Sequence, residues 1–111
     1  MSVAEQHLGL LSAVGTMPPG ARPFARAVII RQALEMALDE HWSQHSPPML
    51  ASSTASQLSC LRMRLDAELV GSLKLAWKGL SRSMHSTGYD HPPSDDELDR
   101  YRSAIERLIA S

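Results

Sequence analysis

All seven prolines of this chain fall into three short stretches, "GTMPPGARP" (15–23), "HSPPM" (45–49) and "YDHPPS" (89–94). Proline has no amide donor, fixes its own φ and pushes the residue before it out of the α region. Each stretch therefore ends one regular element and prepares the next. The segments between them carry apolar residues at intervals of three and four and show no β-type alternation. These features predict an all-α fold, a four- to five-helix bundle in a single domain over residues 1–111, a length inside the ~100–200 residues usual for one domain.

Five helices are expected. The first, about Val3 to Val14, places His7, Leu10, Leu11 and Val14 on one side. The second runs from about Pro23 to His45. A third, about Thr54 to Leu65, opens with Thr54 and Gln57 spaced as a capping box and buries Leu58, Leu61 and Leu65. Asp66 caps a fourth, about Ala67 to Met84 or slightly beyond. Ser94 and Glu97 repeat the capping-box pattern, with Asp95 and Asp96 at the positive end of the helix dipole. That last helix buries Leu98, Tyr101, Ile105, Leu108 and Ile109.

Two of these helices have unusual faces. On the fourth, Leu69, Leu73, Ala76, Trp77, Leu80 and Met84 form one apolar arc, and Lys74, Lys78, Arg82 and His85 form a basic strip roughly opposite. Gly71, Leu75 and Gly79 recur every four residues between them, a spacing that lets another helix approach closely. On the second, Phe24, Ala27, Val28, Leu34, Leu38 and Trp42 define the apolar arc, and Arg31 and Glu35 project from its middle. Four residues apart, these two can pair along the helix, and a charge facing a core must be paired. The pair reads as an internal ion pair that fixes register, as a partly exposed pair at a subunit interface, or as part of a polar binding site inside the bundle.

Several chemistries lack their residues. A net charge of -1 argues against general, charge-driven binding of DNA or membranes, while leaving room for a local basic patch. The single cysteine, Cys60, cannot form an intramolecular disulfide and reads as a small packed residue. The N-terminus lacks the basic start and apolar run of a signal peptide, and no apolar stretch approaches the ~20 residues that span a bilayer. A cytoplasmic protein is the expectation. There is no Gly-rich phosphate loop and no nucleophile elbow, so no cofactor is expected. His41 and His45 have the spacing of two ligands on one helix face, but no third ligand accompanies them and no metal site is expected. Trp42 and Trp77 fall on core stripes.

The stretch "LSRSMHSTGYDHPPSDDEL" (80–98) gathers the remaining polar chemistry. Arg82 and His85 share one helix face, Lys78 precedes them by one turn, and Tyr89 and His91 lie in the connection to the last helix. An imidazole near a cation and a phenol can move protons near neutral pH, as RNA cleavage by the ribose hydroxyl requires. The plainer reading is a helix C-terminus finished with cations that complement its dipole.

From about Arg62 to Ile109 the chain resembles the HEPN (higher eukaryotes and prokaryotes nucleotide-binding) class of small helical domains, and more closely its uncharacterised bacterial representatives. The resemblance lies in a penultimate helix ending in "LSRSMH", a short polar loop, and "PPSDDELDRYRSAIERLI" as a capped closing helix, with "ARAVIIRQALEMALDEHW" as the long preceding helix. It implies a homodimer with its site near the dimer seam. Many such domains are metal-independent ribonucleases in toxin–antitoxin, phage-defence or stress systems, and others bind nucleotides, RNA or proteins without catalysis. The ribonuclease motif places an arginine with four to six residues between it and its histidine. His85 matches the histidine, but Lys78, Gly79 and Leu80 occupy the arginine positions and Arg82 is too close. Lysine lacks the planar fork that binds phosphate bidentately. The resemblance thus implies a binding or regulatory module, with His85, Arg82 and Lys78 as the catalytic set of the ribonuclease alternative. Arg31, Glu35, Tyr89 and His91 are the candidate binding residues, and a plain protein-interaction subunit is the other alternative.

Overall fold

The computed structural model describes residues 2–85 and 92–111, with side chains at all of these except 83–85. Five α-helices are present among them: α1 (Val3–Leu8), α2 (Arg22–His45), α3 (Thr54–Cys60), α4 (Ala67–His85) and α5 (Asp95–Ala110). The described residues contain no strand. Short 3₁₀ segments follow α1 (Gly9–Thr16), α2 (Pro47–Ala51) and α3 (Leu61–Met63), and another (Pro19–Ala21) leads into α2.

The helix starts follow local chemistry. Ser2 accepts a hydrogen bond from the Glu5 amide at 3.0 Å and opens α1. Proline in the first turn of α2 costs nothing, because the first amides of a helix have no intrahelical acceptor. Asp66 accepts from the Leu69 amide at 2.8 Å at the start of α4. The capping box of α5 has both arms, with the Glu97 amide bonded to Ser94 Oγ at 3.2 Å and the Ser94 amide to Glu97 Oε1 at 3.1 Å.

Three local expectations need correction. Ser53, one residue before Thr54, caps α3 by accepting from the Ser56 amide at 3.2 Å. Gln57 is buried and donates to the Ser52 carbonyl at 3.2 Å, which uses its amide outside any capping box. The first helix is α-helical only to Leu8 and tightens to 3₁₀ over Gly9–Thr16. With 3.0 residues per turn, positions three apart eclipse, so Leu8 and Val14 are buried and Leu11 packs against the core while Leu10 is 49% exposed.

The centre of the bundle is α2, which packs against α1, α4 and α5, while α4 and α5 also pack on each other. The largest fully buried side chains are Leu34, Leu38, Leu58, Leu61, Leu73, Leu80, Ile105 and Leu108. Each is worth about 1.5–3 kcal/mol relative to an exposed position. The buried arc of α2 runs through Ala27, Ile30, Ala33, Leu34, Ala37, Leu38, His41 and Trp42. It is rotated roughly a quarter turn, at ~100° per residue, from the arc centred on Phe24 and Val28. That rotation moves Arg31 and Glu35 from the middle of the core face to its margin.

Candidate functional site

At that margin the Arg31–Glu35 pair forms, with Arg31 Nη1 donating to Glu35 Oε1 at 3.1 Å. Its side chains are 26% and 41% exposed, so the pair is not withdrawn from water as its place in the sequence pattern suggests. The guanidinium carbon also lies 4.5 Å from the Trp77 ring centroid, joining α2 to α4 by a cation–π contact. Arg31 Nε is buried without a hydrogen-bond partner among the described residues. Trp77 is accordingly half-buried and serves as a platform at the edge of the core.

Along α4, Lys74, Lys78 and Arg82 are all exposed, as the basic strip predicts. Arg82 reaches the electrostatic surroundings of Tyr101 on α5. Burial pushes the Tyr101 phenol above its usual range, the Glu97 carboxylate pushes it further, and Arg100 and Arg82 pull the other way. The phenol donates to Glu97 Oε2 at 3.3 Å. The Glu97 carboxyl is held below the usual carboxylate range, first by the Ser94 amide. A Cβ at Gly79 would overlap the Tyr101 hydroxyl. Gly79 therefore belongs to packing within this chain, whereas a Cβ at Gly71 would meet nothing within 4 Å. Positions 77 and 79 point ~200° apart on a helix. Arg31, above Trp77, and Arg82, toward Tyr101, thus occupy different flanks of α4. The side chain of His85, and Tyr89 and His91, lie outside the described residues.

On the Tyr101 side, α4 and α5 leave a groove of about 340 Å³ lined by Ser72, Leu75, Tyr101 and Ala104, with Arg100 and Arg107 on its α5 wall. Leu75 at its rim is 66% exposed. Asp99 is the acidic residue in the lining, and Arg107 makes a loose ion pair with Asp66 at 3.8 Å.

A second polar cluster lies at the other end of α2. His41 is 6% exposed and its ring stands 4.5 Å, centroid to centroid, from that of His45. Arg64, in the turn after α3, reaches both: Nε donates to His41 Nε2 at 3.2 Å and Nη2 lies 2.7 Å from His45 Nδ1. Burial, His45 and Arg64, in that order, pull the His41 pKa down from 6.5 to about 4. The four-residue spacing of the histidines was visible in the sequence. The arginine that joins them lies 23 residues further along, where no local pattern links it to α2. Arg64 meets one nitrogen of each ring, and among the described residues no group of three or more His, Cys, Asp or Glu could hold a metal ion. Cys60 is half-buried against the core. No described helix is long and apolar enough to cross a membrane.

Against protein-family models, curated proteins and solved structures, the chain has no match.

Proposed function

We propose that this chain is a non-catalytic binding module, a helical bundle of HEPN-like plan that docks an acidic amphipathic helix of a partner protein in the α4–α5 groove. The observation that carries this reading is Leu75, 66% exposed at the mouth of the groove between cations of both helices. Lys74, Lys78 and Arg82 lie along α4, and Arg100 and Arg107 lie along α5. An apolar strip between basic rows fits a helix with one apolar face and acidic flanks.

RNA or a nucleotide is the competing occupant of the same cations. It is supported less well, because single-stranded bases need an open aromatic face. The Trp77 ring carries Arg31, and Tyr101 is engaged by Glu97 and packed at Gly79. A second copy of the chain is favoured by the open flank at Gly71. A two-fold contact there would, however, bring the lysines of α4 against their own copies, a like-charge cost that an acidic partner avoids.

The test uses a fluorescent amphipathic helical peptide with leucine on one face and glutamate on the flanks. Its lysine-flanked counterpart and a labelled single-stranded RNA in chelator run beside it. The glutamate peptide should bind, weaken with salt, and be lost in Leu75→Ser. Because Leu75 is exposed, that variant should fold within about 0.5 kcal/mol of the parent. Equal binding of both peptides, or parent-like binding by Leu75→Ser, would contradict the groove. Robust RNA cleavage abolished by His85→Ala would replace the reading with the ribonuclease one, and light scattering of the same samples reports any homodimer.

A further inference from the structure

The cluster at the far end of α2 is independent of the groove and has its own logic. A guanidinium is charged throughout the accessible pH range and only donates hydrogen bonds. Both ring nitrogens that meet Arg64 must therefore be acceptors, His41 Nε2 at 3.2 Å and His45 Nδ1 at 2.7 Å. The arrangement assigns each ring one neutral tautomer, with the proton on Nδ1 of His41 and on Nε2 of His45. Protonation of either ring turns its acceptor into a donor aimed at a donor. It also adds a second positive charge within hydrogen-bonding distance of the first.

Among the described residues lining the cavity beside His41, Glu40 is the one carboxylate side chain, and it is not among the groups that set the His41 pKa. Its own helix supplies Glu40 and His45. Glu40 Oε1 is already bonded to the Ala4 amide at 3.0 Å, tying α1 to α2. The end of α5 contributes Leu108, Ile109 and Ser111, and the residue capping α1 is Ser2. The turn after α3 contributes Arg64 itself. Trp42 meets the His41 ring edge-on, at 85° and 5.1 Å.

We propose that Arg64, His41 and His45 form a proton-sensitive clamp. It fastens the α3–α4 connection to the C-terminal end of α2 at neutral pH and releases it in acid. Over α3 and the turn that follows, Gln57, Leu58 and Leu61 are the buried residues, and Arg64 adds a polar contact to this apolar one. Arg64 also stands two residues before Asp66, whose carboxylate caps α4 and meets Arg107 of α5. Release would thus loosen the entry to the helix that carries the groove.

Segment-resolved hydrogen exchange on the intact chain tests the clamp, with rates corrected for the intrinsic pH dependence of amide exchange. If His41 regains an ordinary midpoint of 6.5 when the segment opens, against about 4 when closed, opening should rise roughly 25-fold from pH 7.5 to pH 5. The rise should be confined to residues 54–64 and the first turn of α4, and spare the middle of α5. Arg64→Gln should exchange quickly in that segment already at pH 7.5 and respond little to acid. His45→Gln, on an exposed ring, gives a second reading in the same direction should the first variant fold poorly. A uniform acid response over all helices, or parent-like protection of 54–64 in a folded Arg64→Gln or His45→Gln at pH 7.5, would overturn the proposal.

Discussion

Of the arginines that tie other parts of the bundle to α2, two are held by opposite chemistry. Arg31 bonds to Glu35 and stacks on Trp77, joining α2 to α4. Arg64 reaches back from the turn after α3 and rests on two imidazoles. The faces of the indole carry no titratable group, so the Arg31 stack is indifferent to protons. The imidazoles hold an arginine only while neutral, so the Arg64 anchor depends on pH by construction. One helix thereby presents a permanent attachment near its middle and a conditional one at its end. A cation on a helix acts as a fixed strut or a switch according to what receives it.

The largest effect that separates the two anchors is acid sensitivity. The folded pKa of His41 is lowered, so between about 4 and its ordinary 6.5 the unfolded chain binds the extra proton. Stability from this ring is complete above 6.5, falls as the pH drops through that window, and is gone near 4. The full shift is worth about 3 kcal/mol at 1.36 kcal/mol per unit, of which about 2 kcal/mol is lost by pH 5. Urea denaturation at pH 7.5 and 5 should show the loss in the parent. His41→Phe, which cannot titrate, should lack most of it. An equal loss in His41→Phe would place the acid sensitivity elsewhere.

The permanent anchor should fail differently. Trp77→Leu removes the platform under Arg31 and part of a half-buried ring, at a cost of about 1–2 kcal/mol that stays constant from pH 7.5 to 5. A cost that grows in acid would make the two anchors alike. Glu35→Ala should cost less, about 0.5–1 kcal/mol, because the carboxylate is 41% exposed and the pair is screened by solvent. A loss of 3–5 kcal/mol, expected for an uncompensated buried charge, would mean that Glu35 is far drier than its exposure indicates.

The same contrast shows what could be read from the residues alone. Helix identity and order were legible because proline clusters and capping residues act within a few positions, as Asp66, Ser94 and Glu97 illustrate. The face of α2 was not, because its arc is built partly from Ala33 and Ala37, small residues that the larger Phe24 and Val28 outweigh in any apolar pattern. Rotation of that arc is a tertiary outcome, set by where α4 and α5 pack. It decided whether Arg31 and Glu35 became a buried pair or a marginal one. Gly79 was recognisable as a close-approach position, but only the fold identifies the approaching group as Tyr101 of the same chain. The basic strip of α4 was legible by period, whereas the groove beside it needs the relative placement of two helices. Arg64 was the least accessible feature, since nothing in its neighbourhood points to residues 19 and 23 positions earlier.

The ring nitrogens of His41 give the most direct measurement of the central claim, that one arginine anchor of α2 exists only while its acceptors are neutral. Nitrogen-15 spectra of the imidazoles, recorded from pH 8 to pH 4 in parent and Arg64→Gln, resolve tautomer and midpoint together. The account predicts a neutral ring protonated at Nδ1, a midpoint near 4 in the parent, and a smaller upward shift when Arg64 is replaced, since burial and His45 outweigh it. A His41 ring that titrates at 6.5 or above in the parent, or whose midpoint ignores the loss of Arg64, would contradict it.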